Sequence, residues 1–501
     1  MKPAAPRNGA QEIELKLALP TSDPSSLARQ LARTPLLARR KATQQNLHNV
    51  YYDTPEQLLR QQRVALRIRR VGSEAQPQWL QTLKTGGRSD SALAQRGEWE
   101  VPVPGAALSR AALKATPWSG IDPDGHVFAA LAPCFETRFA RTTWLVRRRD
   151  GSVVEVALDI GQIAAGDKTT PICELELELL SGQPAALFDI ARQIAQTLAV
   201  LPLTASKSER GYALAQDGVD LALRAQPPTL TPDMSLPEAA QRVLREMFYQ
   251  FTANLNALRS SEDAEVVHQA RVGWRRFKSA LRLFKPVLAL DALPTWQALQ
   301  TLLSFLGELR DLDVARIDTL PPLADDYMAG DARRAAAWQA MTQALLDAAS
   351  LQRKSVRYAL QEPAVGAVLL EIAQWLEGLS VLSRPGDAAV ERNVSLRPWA
   401  RRRIVRLHEQ LKLARKEAGS PESLHRVRIL AKRLRYGIEA LLPLLPKRRK
   451  KRWYGQATRL QSSLGATRDV MQAGVLVARL EADRALVEFL RGVAVGQARQ
   501  G

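Results

Sequence analysis

Cysteine is nearly missing from this 501-residue chain. Cys134 and Cys173 are the only two, too few for a disulfide framework or a zinc site and suited to a reducing cytoplasm. No uncharged apolar run reaches the roughly 18 residues of a spanning helix, and the first residues lack the apolar core of a signal peptide. These absences predict a soluble intracellular protein. Acidic residues run short in the second part of the chain: residues 1–220 carry 27 Lys and Arg against 23 Asp and Glu, and the remainder carries 44 against 28. A basic excess confined to one region implies an anionic partner there. The length itself calls for two or three domains.

What is present starts with alternation. Glu12 to Leu19 places Glu12, Glu14 and Lys16 on one face of a strand and Ile13, Leu15 and Leu17 on the other. Cys173 to Leu180 repeats the device with Glu174, Glu176 and Glu178. Crowded carboxylates repel and are costly to desolvate, so such a face is kept wet, paired with cations or bound to metal; a solvated face of an antiparallel sheet is the plain alternative. Between the acidic strands lie basic ones, with Arg67 and Arg69, then Lys84, then Arg138 and Arg141 ahead of Trp144. Closed into a barrel, these strands give an interior in which carboxylates suit hard divalent cations and Arg and Lys suit phosphate oxygens.

Glu12-x-Glu14-x-Lys16 resembles the ExExK signature of the CYTH superfamily of triphosphate tunnel barrels. Arg67-x-Arg69, Thr82-x-Lys84, Arg141, Asp159, Glu174-x-Glu176, and Lys207 with Arg210 follow in the family's order. The resemblance spans residues 10–215 and implies a closed antiparallel barrel of about eight strands. It implies that Lys16, Arg67, Arg69, Lys84, Arg138 and Arg141 hold phosphates, with Lys207 and Arg210 on a closing strand. Glu12, Glu14, Asp159, Glu174 and Glu176 would bind Mg2+ or Mn2+. No residue stands out as a dedicated general base.

Along this region residues 1–10 read as a flexible tail, and Pro24 to Arg40 as helix broken at Pro35. Asn46 to Thr54 reads as a strand whose Tyr51, Tyr52 and Asp53 are barrel wall or substrate contacts. Gly86-Gly87 reads as a turn, Asp150-Gly151 as a hairpin turn, with Asp159 at the end of the strand beyond it, and Pro184 to Leu198 as helix. Four prolines between Ala225 and Pro237 mark residues 216–237 as a linker.

Residues 238–495 then read as all helical, which makes the whole an α+β multidomain protein. They hold a repeat: His268, Arg271, Arg275, Arg276 and Lys278 align with His425, Arg428, Lys432, Arg433 and Arg435, and Leu-Gly-x-x-Arg-Asp recurs at Leu306–Asp311 and Leu464–Asp469. From His to Asp is 43 positions in one copy and 44 in the other, which implies two pseudo-repeated helical bundles, 238–383 and 396–495, joined near Arg384 to Pro398. On a helix, His268, Arg271, Arg275, Lys278 and Arg282 share an arc of roughly 80° opposite Trp274, Phe277 and Leu281. His425, Arg428, Lys432 and Arg435 repeat that arc opposite Leu434 and Ile438. The Leu-Gly-x-x-Arg-Asp segments read either as interhelix turns with Arg310 paired to Asp311, or as ligand contacts. The repeat resembles the CHAD domain, which implies that both stripes bind long-chain polyphosphate.

Together the two resemblances imply a metal-dependent inorganic triphosphatase that splits tripolyphosphate into pyrophosphate and phosphate. The competing readings are a non-catalytic polyphosphate scaffold, and a barrel acting on thiamine triphosphate or ATP. Nucleic acid is disfavoured because Trp274 and Phe277 fall on the apolar side, Tyr436 being the exception; no membrane association is expected.

Overall fold

Period-two alternation carries through the whole first region, and the strands it builds close on themselves. The structure, a computed structural model, describes residues 7–21, 23–72, 75–86, 91–288, 293–379 and 395–500, with only the backbone of 7–10, 421, 449–450, 463–467 and 497–500. Eight strands are β1 (Arg7–Ala18), β2 (Thr43–Asp53), β3 (Val64–Val71), β4 (Gln78–Thr85), β5 (Leu93–Val103), β6 (Ala132–Arg147), β7 (Val153–Ala165) and β8 (Lys168–Ser181). They pair antiparallel in the order β5-β4-β3-β2-β6-β7-β8-β1, and β1 returns to β5, so the barrel has no free edge.

Outward-facing leucines of β1 and β8, Leu15, Leu17, Leu175 and Leu177, are fully buried, as are Leu27 and Leu31 of the helix Leu27–Arg33 and Phe188 and Ile190 of the helix Ala185–Ala195. The first of these helices stops at Thr34, ahead of Pro35. Residues 7–10 belong to β1 and are not a tail. Asp159 lies in the middle of β7 and not at its end. Gly151 takes φ 83° in the β6–β7 turn; Gly87 and residues 380–394 fall outside the described residues.

The segment expected to be a closing strand is a helix, Lys207–Ala215. Its start is specified locally: Ser206 Oγ accepts from the Glu209 amide, and the Glu209 carboxylate accepts from the Ser206 amide at 2.7 Å. Gly211 rests on the Phe135 ring where a Cβ would collide, while Tyr212 and Leu214 join Leu47, Tyr51, Phe135, Phe139 and Ile163 in an apolar cluster. The helix thereby packs on the barrel and lends Lys207, Ser208, Glu209 and Tyr212 to the wall of the lumen.

Two compact units divide the chain: Met1–Leu221 with Leu360–Gln374, and Ala222–Ala359 with Trp375–Gly501. Leu360–Gln374, placed by sequence within the first helical repeat, thus belongs to the barrel's unit, where Gly366 abuts the carbonyl of Val200. The second unit is helical, with main helices Leu236–Ala257, Ala264–Phe284, Gln300–Asp313, Ala332–Ala359, Leu396–Lys416, Pro421–Ala440, Lys447–Arg479 and Arg484–Gln500. Its Pro-rich entry is tied down: Asn254 bonds the backbone of Leu223, and Arg276 donates to the carbonyl of Gln226. No helix among the described residues is long and apolar enough to cross a membrane.

Candidate functional site

The lumen is a cavity of about 1350 Å³, walled by charged side chains from β1, β3, β4, β5, β6, β7 and β8. This exceeds the common range of small-ligand clefts, about 300–1,000 Å³, and leaves room for a hydrated polyanion. The register decides which charges meet. Across β1–β5 Glu12 faces Arg96; across β4–β5 Lys84 faces Glu98; across β1–β8 Lys16 faces Glu176; across β6–β7 Arg141 faces Asp159. Two pairings set like charges opposite, Asp159 with Glu174 and Glu14 with Glu178, which is destabilising unless cations intervene.

They do intervene, in two groups. In the first, Glu12 accepts from Lys84 at 3.0 Å and from Arg96 Nε at 2.9 Å, Glu14 pairs with Lys16 at 2.8 Å and with Arg96, and Lys84 also reaches Glu98 at 3.1 Å. Burial alone would raise the Glu12 carboxyl, yet Lys84 and Arg96 hold it well below the usual range. In the second group Arg141 grips Asp159 through Nε at 2.7 Å and Nη2 at 2.6 Å and also bonds Glu176. Lys207 Nζ lies 2.6 Å from Asp159, 2.5 Å from Glu174 and 2.9 Å from Glu176, and Arg210 adds 2.8 Å to Glu174. Against its burial, Lys207, Arg141 and Lys16 keep the Glu176 carboxyl well below the usual range. One oxygen each of Asp159, Glu174 and Glu176 lies within 4.8 Å of the others; three hard donors at that spacing, two of them buried, fit a divalent cation. Glu12 and Glu14 do not converge with them.

Arg67 and Arg69 form a third patch, with Glu98 and Glu100 as its counter-ions. Arg67 is 3.8 Å from Glu98 and 3.9 Å from Glu100 and donates to Tyr51 at 3.2 Å; Arg69 donates to Asn49 at 2.8 Å and lies 3.5 Å from Glu100. Burial and the adjacent Arg67 depress the Arg69 guanidinium, and Arg141 adds to the push. An incoming anion relieves that repulsion.

Arg138 stands apart. It is three residues from Arg141 and therefore on the opposite face of β6, exposed outside the barrel and paired with Glu136 at 2.9 Å. Arg96, Glu98 and Glu100, whose alternation the sequence displays, are inside and were not singled out as site residues. Asp53 is structural: it accepts from the amides of Thr54, Leu59 and Arg60 and from Tyr212.

In the helical unit the two stripes share one electrostatic neighbourhood. Lys432 is lowered to about 8 by burial and by Arg428, Arg275, Arg468 and Arg435. Arg271 is lowered by burial and by Arg275 and Arg310, and Arg428 by burial and by Arg468 and Arg275. Cations from both copies thus repel one another, with Asp311 and Asp469 among them. Lys278 is half-buried beside Trp274, Arg435 stacks over Tyr436, and Arg282 is exposed. The histidines differ: burial and Arg310 drive His268 to about 4, whereas His425 is exposed. Arg310 and Asp311 lie within the helix Gln300–Asp313 and not in a turn, and Arg310 bonds Asp318 in place of Asp311. The Arg271 guanidinium rests on Gly307, 2.8 Å from where a Cβ would be. Arg468 and Asp469 likewise lie within the helix Lys447–Arg479, while the side chains of Leu464 and Gly465 are outside the description. Tyr436, the one aromatic expected on the basic face, is buried at 3% exposure.

A closed antiparallel barrel with a lumen of paired acids and bases, followed by a duplicated helical unit with converging basic stripes, defines a two-module protein of the tunnel-barrel class. The CYTH domain model matches residues 10–212 and the CHAD domain model residues 184–478. With more than half of its length matched by the latter, the chain belongs to the CHAD-domain family and carries a CYTH domain ahead of it. It is 36% identical over 205 residues to an inorganic triphosphatase of Haemophilus influenzae, an alignment covering 41% of this chain and 55% of that protein; the chain spans about half the length of that relative. Among solved structures, the CHAD domain from the plant Ricinus communis aligns with TM-score 0.47 at 27% identity, over 56% of this chain and 92% of that one. An adenylyl cyclase homologue from Hippeastrum, described as having a dominant triphosphatase activity, aligns with TM-score 0.29 at 18% identity, over 40% and 95%.

Proposed function

We propose that the barrel hydrolyses inorganic tripolyphosphate to pyrophosphate and phosphate, and that the helical unit binds long-chain polyphosphate. The observation that carries the first part is the lumen: cations project from β1, β3, β4, β5 and β6 and from the helix Lys207–Ala215, so a linear triphosphate lying along it meets positive charge over most of the wall, with the acids of β7 and β8 on the remainder. Tripolyphosphate repels an attacking water through its own charge, so neutralisation and alignment supply most of the catalysis. Arg69, depressed by burial and by Arg67, gains most from an anion; Arg67, Arg141, Lys84 and Arg96 hold their carboxylates in place and present remaining donors to phosphate.

Asp159, Glu174 and Glu176 would hold a Mg2+ or Mn2+ ion. Such an ion supplies charge neutralisation at phosphate oxygens and Lewis acidity toward water. The same basic logic supports the helical unit's role, where Arg271, Arg275, Arg428, Lys432 and Arg468 converge without enough acid to balance them.

Phosphate release from tripolyphosphate, ATP, thiamine triphosphate and long polyphosphate, each with Mg2+, Mn2+ or EDTA, tests the reading. Metal-dependent turnover favouring tripolyphosphate, lost in Glu176→Ala and Glu176→Gln, is the expected result. No turnover with polyphosphate still bound makes the protein a scaffold. A second reading has one observation behind it: Val71, Trp79, Leu80, Pro102 and Val103 add an apolar stretch to the cavity wall, which suits the organic part of thiamine triphosphate or ATP. Preference for either over tripolyphosphate moves the assignment there.

A further inference from the structure

Asp159, Glu174 and Glu176 are buried or nearly so, and Asp159 and Glu174 face each other directly across β7 and β8. Three carboxylates so placed cannot stay together without a positive charge at their centre. In this structure the charge is the Lys207 ammonium, 2.5 to 2.9 Å from one oxygen of each. The outer oxygens are already taken: Arg141 bonds both oxygens of Asp159 and one of Glu176, and Arg210 bonds the second oxygen of Glu174. One oxygen each of Glu174 and Glu176 is left for a central cation, and Asp159 Oδ2, shared with Arg141, is the third; Lys207 sits against all three.

A divalent ion draws oxygens to about 2.0–2.6 Å, from the same three atoms. Two cations do not share that seat. Lys207 differs in origin from the strand cations around the triad: it opens the capped helix Lys207–Ala215, and its flexible four-carbon stem lets the ammonium leave while the backbone stays. Phe139, whose ring lies 5.0 Å from Nζ, gives the ammonium a π-face within the lumen.

We propose that Lys207 is a built-in stand-in for the divalent ion: ammonium and metal occupy the carboxylate triad in alternation, and the arriving metal releases Lys207 toward the phosphate chain in the lumen. This rests on the metal reading given above. Its consequences separate from that reading. The protein folds without metal because Lys207 supplies the missing charge, and metal binds more weakly than the bare triad permits because it must first displace the ammonium.

The test is Mn2+ titration of the whole chain, followed by loss of the free-ion paramagnetic resonance signal, on wild type, Lys207→Met and Lys207→Gln, with thermal unfolding in EDTA and in excess MnCl2. The Lys207 variants are expected to bind Mn2+ at least about tenfold more tightly, to unfold at lower temperature than wild type in EDTA, and to regain that loss in Mn2+. Variants that need metal to fold are prepared in Mn2+ and read by their larger midpoint shift on EDTA addition. Mn2+ affinity equal to or weaker than wild type in both variants overturns the proposal while leaving the metal site intact. Failure of all three proteins to bind Mn2+ removes the metal reading itself, and the proposal with it.

Discussion

Arg138 and Arg141 show how much one residue of register decides. Both belong to one basic run and both were expected to hold phosphate, yet a strand cannot turn residues three apart to the same side; Arg141 enters the lumen and Arg138 lies outside it. Arg141→Ala is expected to lower kcat/KM for tripolyphosphate by about a hundredfold, and Arg138→Ala to leave it within twofold, in parallel assays. Glu100 offers a pH test. Burial would raise its carboxyl, but Arg69, Arg67 and the Thr82 hydroxyl bring it below 4.5. Its contribution to stability is therefore complete above pH 4.5 and is lost as pH falls through the lower folded value. Thermal midpoints measured from pH 6 to pH 3 should fall on the acid side, and less steeply in Glu100→Gln. In the helical unit the sign reverses. Lys432, lowered to about 8 by burial and neighbouring cations, loses charge just above neutrality unless an anion is bound, so polyphosphate affinity should decline as pH rises beyond 8. Lys432→Arg should remove that decline in a binding titration.

At the scale of single elements, β-strands were legible because one side of each is core and the other is charged, and the period of two survives without neighbours. The helix Lys207–Ala215 was not read as such, although its signal is local: Ser206-x-x-Glu209 is a capping box. Lys207 and Arg210 carry the charge, but it is the residue before Lys207 that starts the helix. Ser206→Ala is expected to cost about 1 kcal/mol, to speed amide exchange across the helix, and to weaken catalysis through a less well held Lys207, which denaturant titration and exchange would read separately. The Leu-Gly-x-x-Arg-Asp motif misleads in the opposite way. Glycine there signals no turn; at Gly307 it makes room for Arg271 in mid-helix.

For the molecule as a whole, composition announced an anionic partner but not where it would dock. The facing stripes account for part of the excess charge. Another part lies on Leu396–Lys416 and the start of Lys447–Arg479: Lys447 to Arg452 are six consecutive basic residues, and Arg415, Arg452 and Arg459 line a smaller cleft of about 420 Å³. A polyphosphate chain bound by the helical unit should therefore show a steep salt dependence; a joint Arg271→Ala, Arg275→Ala, Arg428→Ala variant should lose affinity and flatten the slope of log affinity against log salt by about the charges removed.

The return of Leu360–Gln374 to the barrel's unit, invisible in a linear reading that assigned it to the helical repeat, carries a consequence for how this protein can be inherited. A gene cut after Leu221 would yield a barrel deprived of a segment encoded more than a hundred codons downstream, with the Val200 carbonyl no longer met by Gly366. The two modules match separate families, with the CHAD domain match beginning at residue 184 and running through this segment. A recombination event between them would have to keep Leu360–Gln374 with its barrel, or find a replacement.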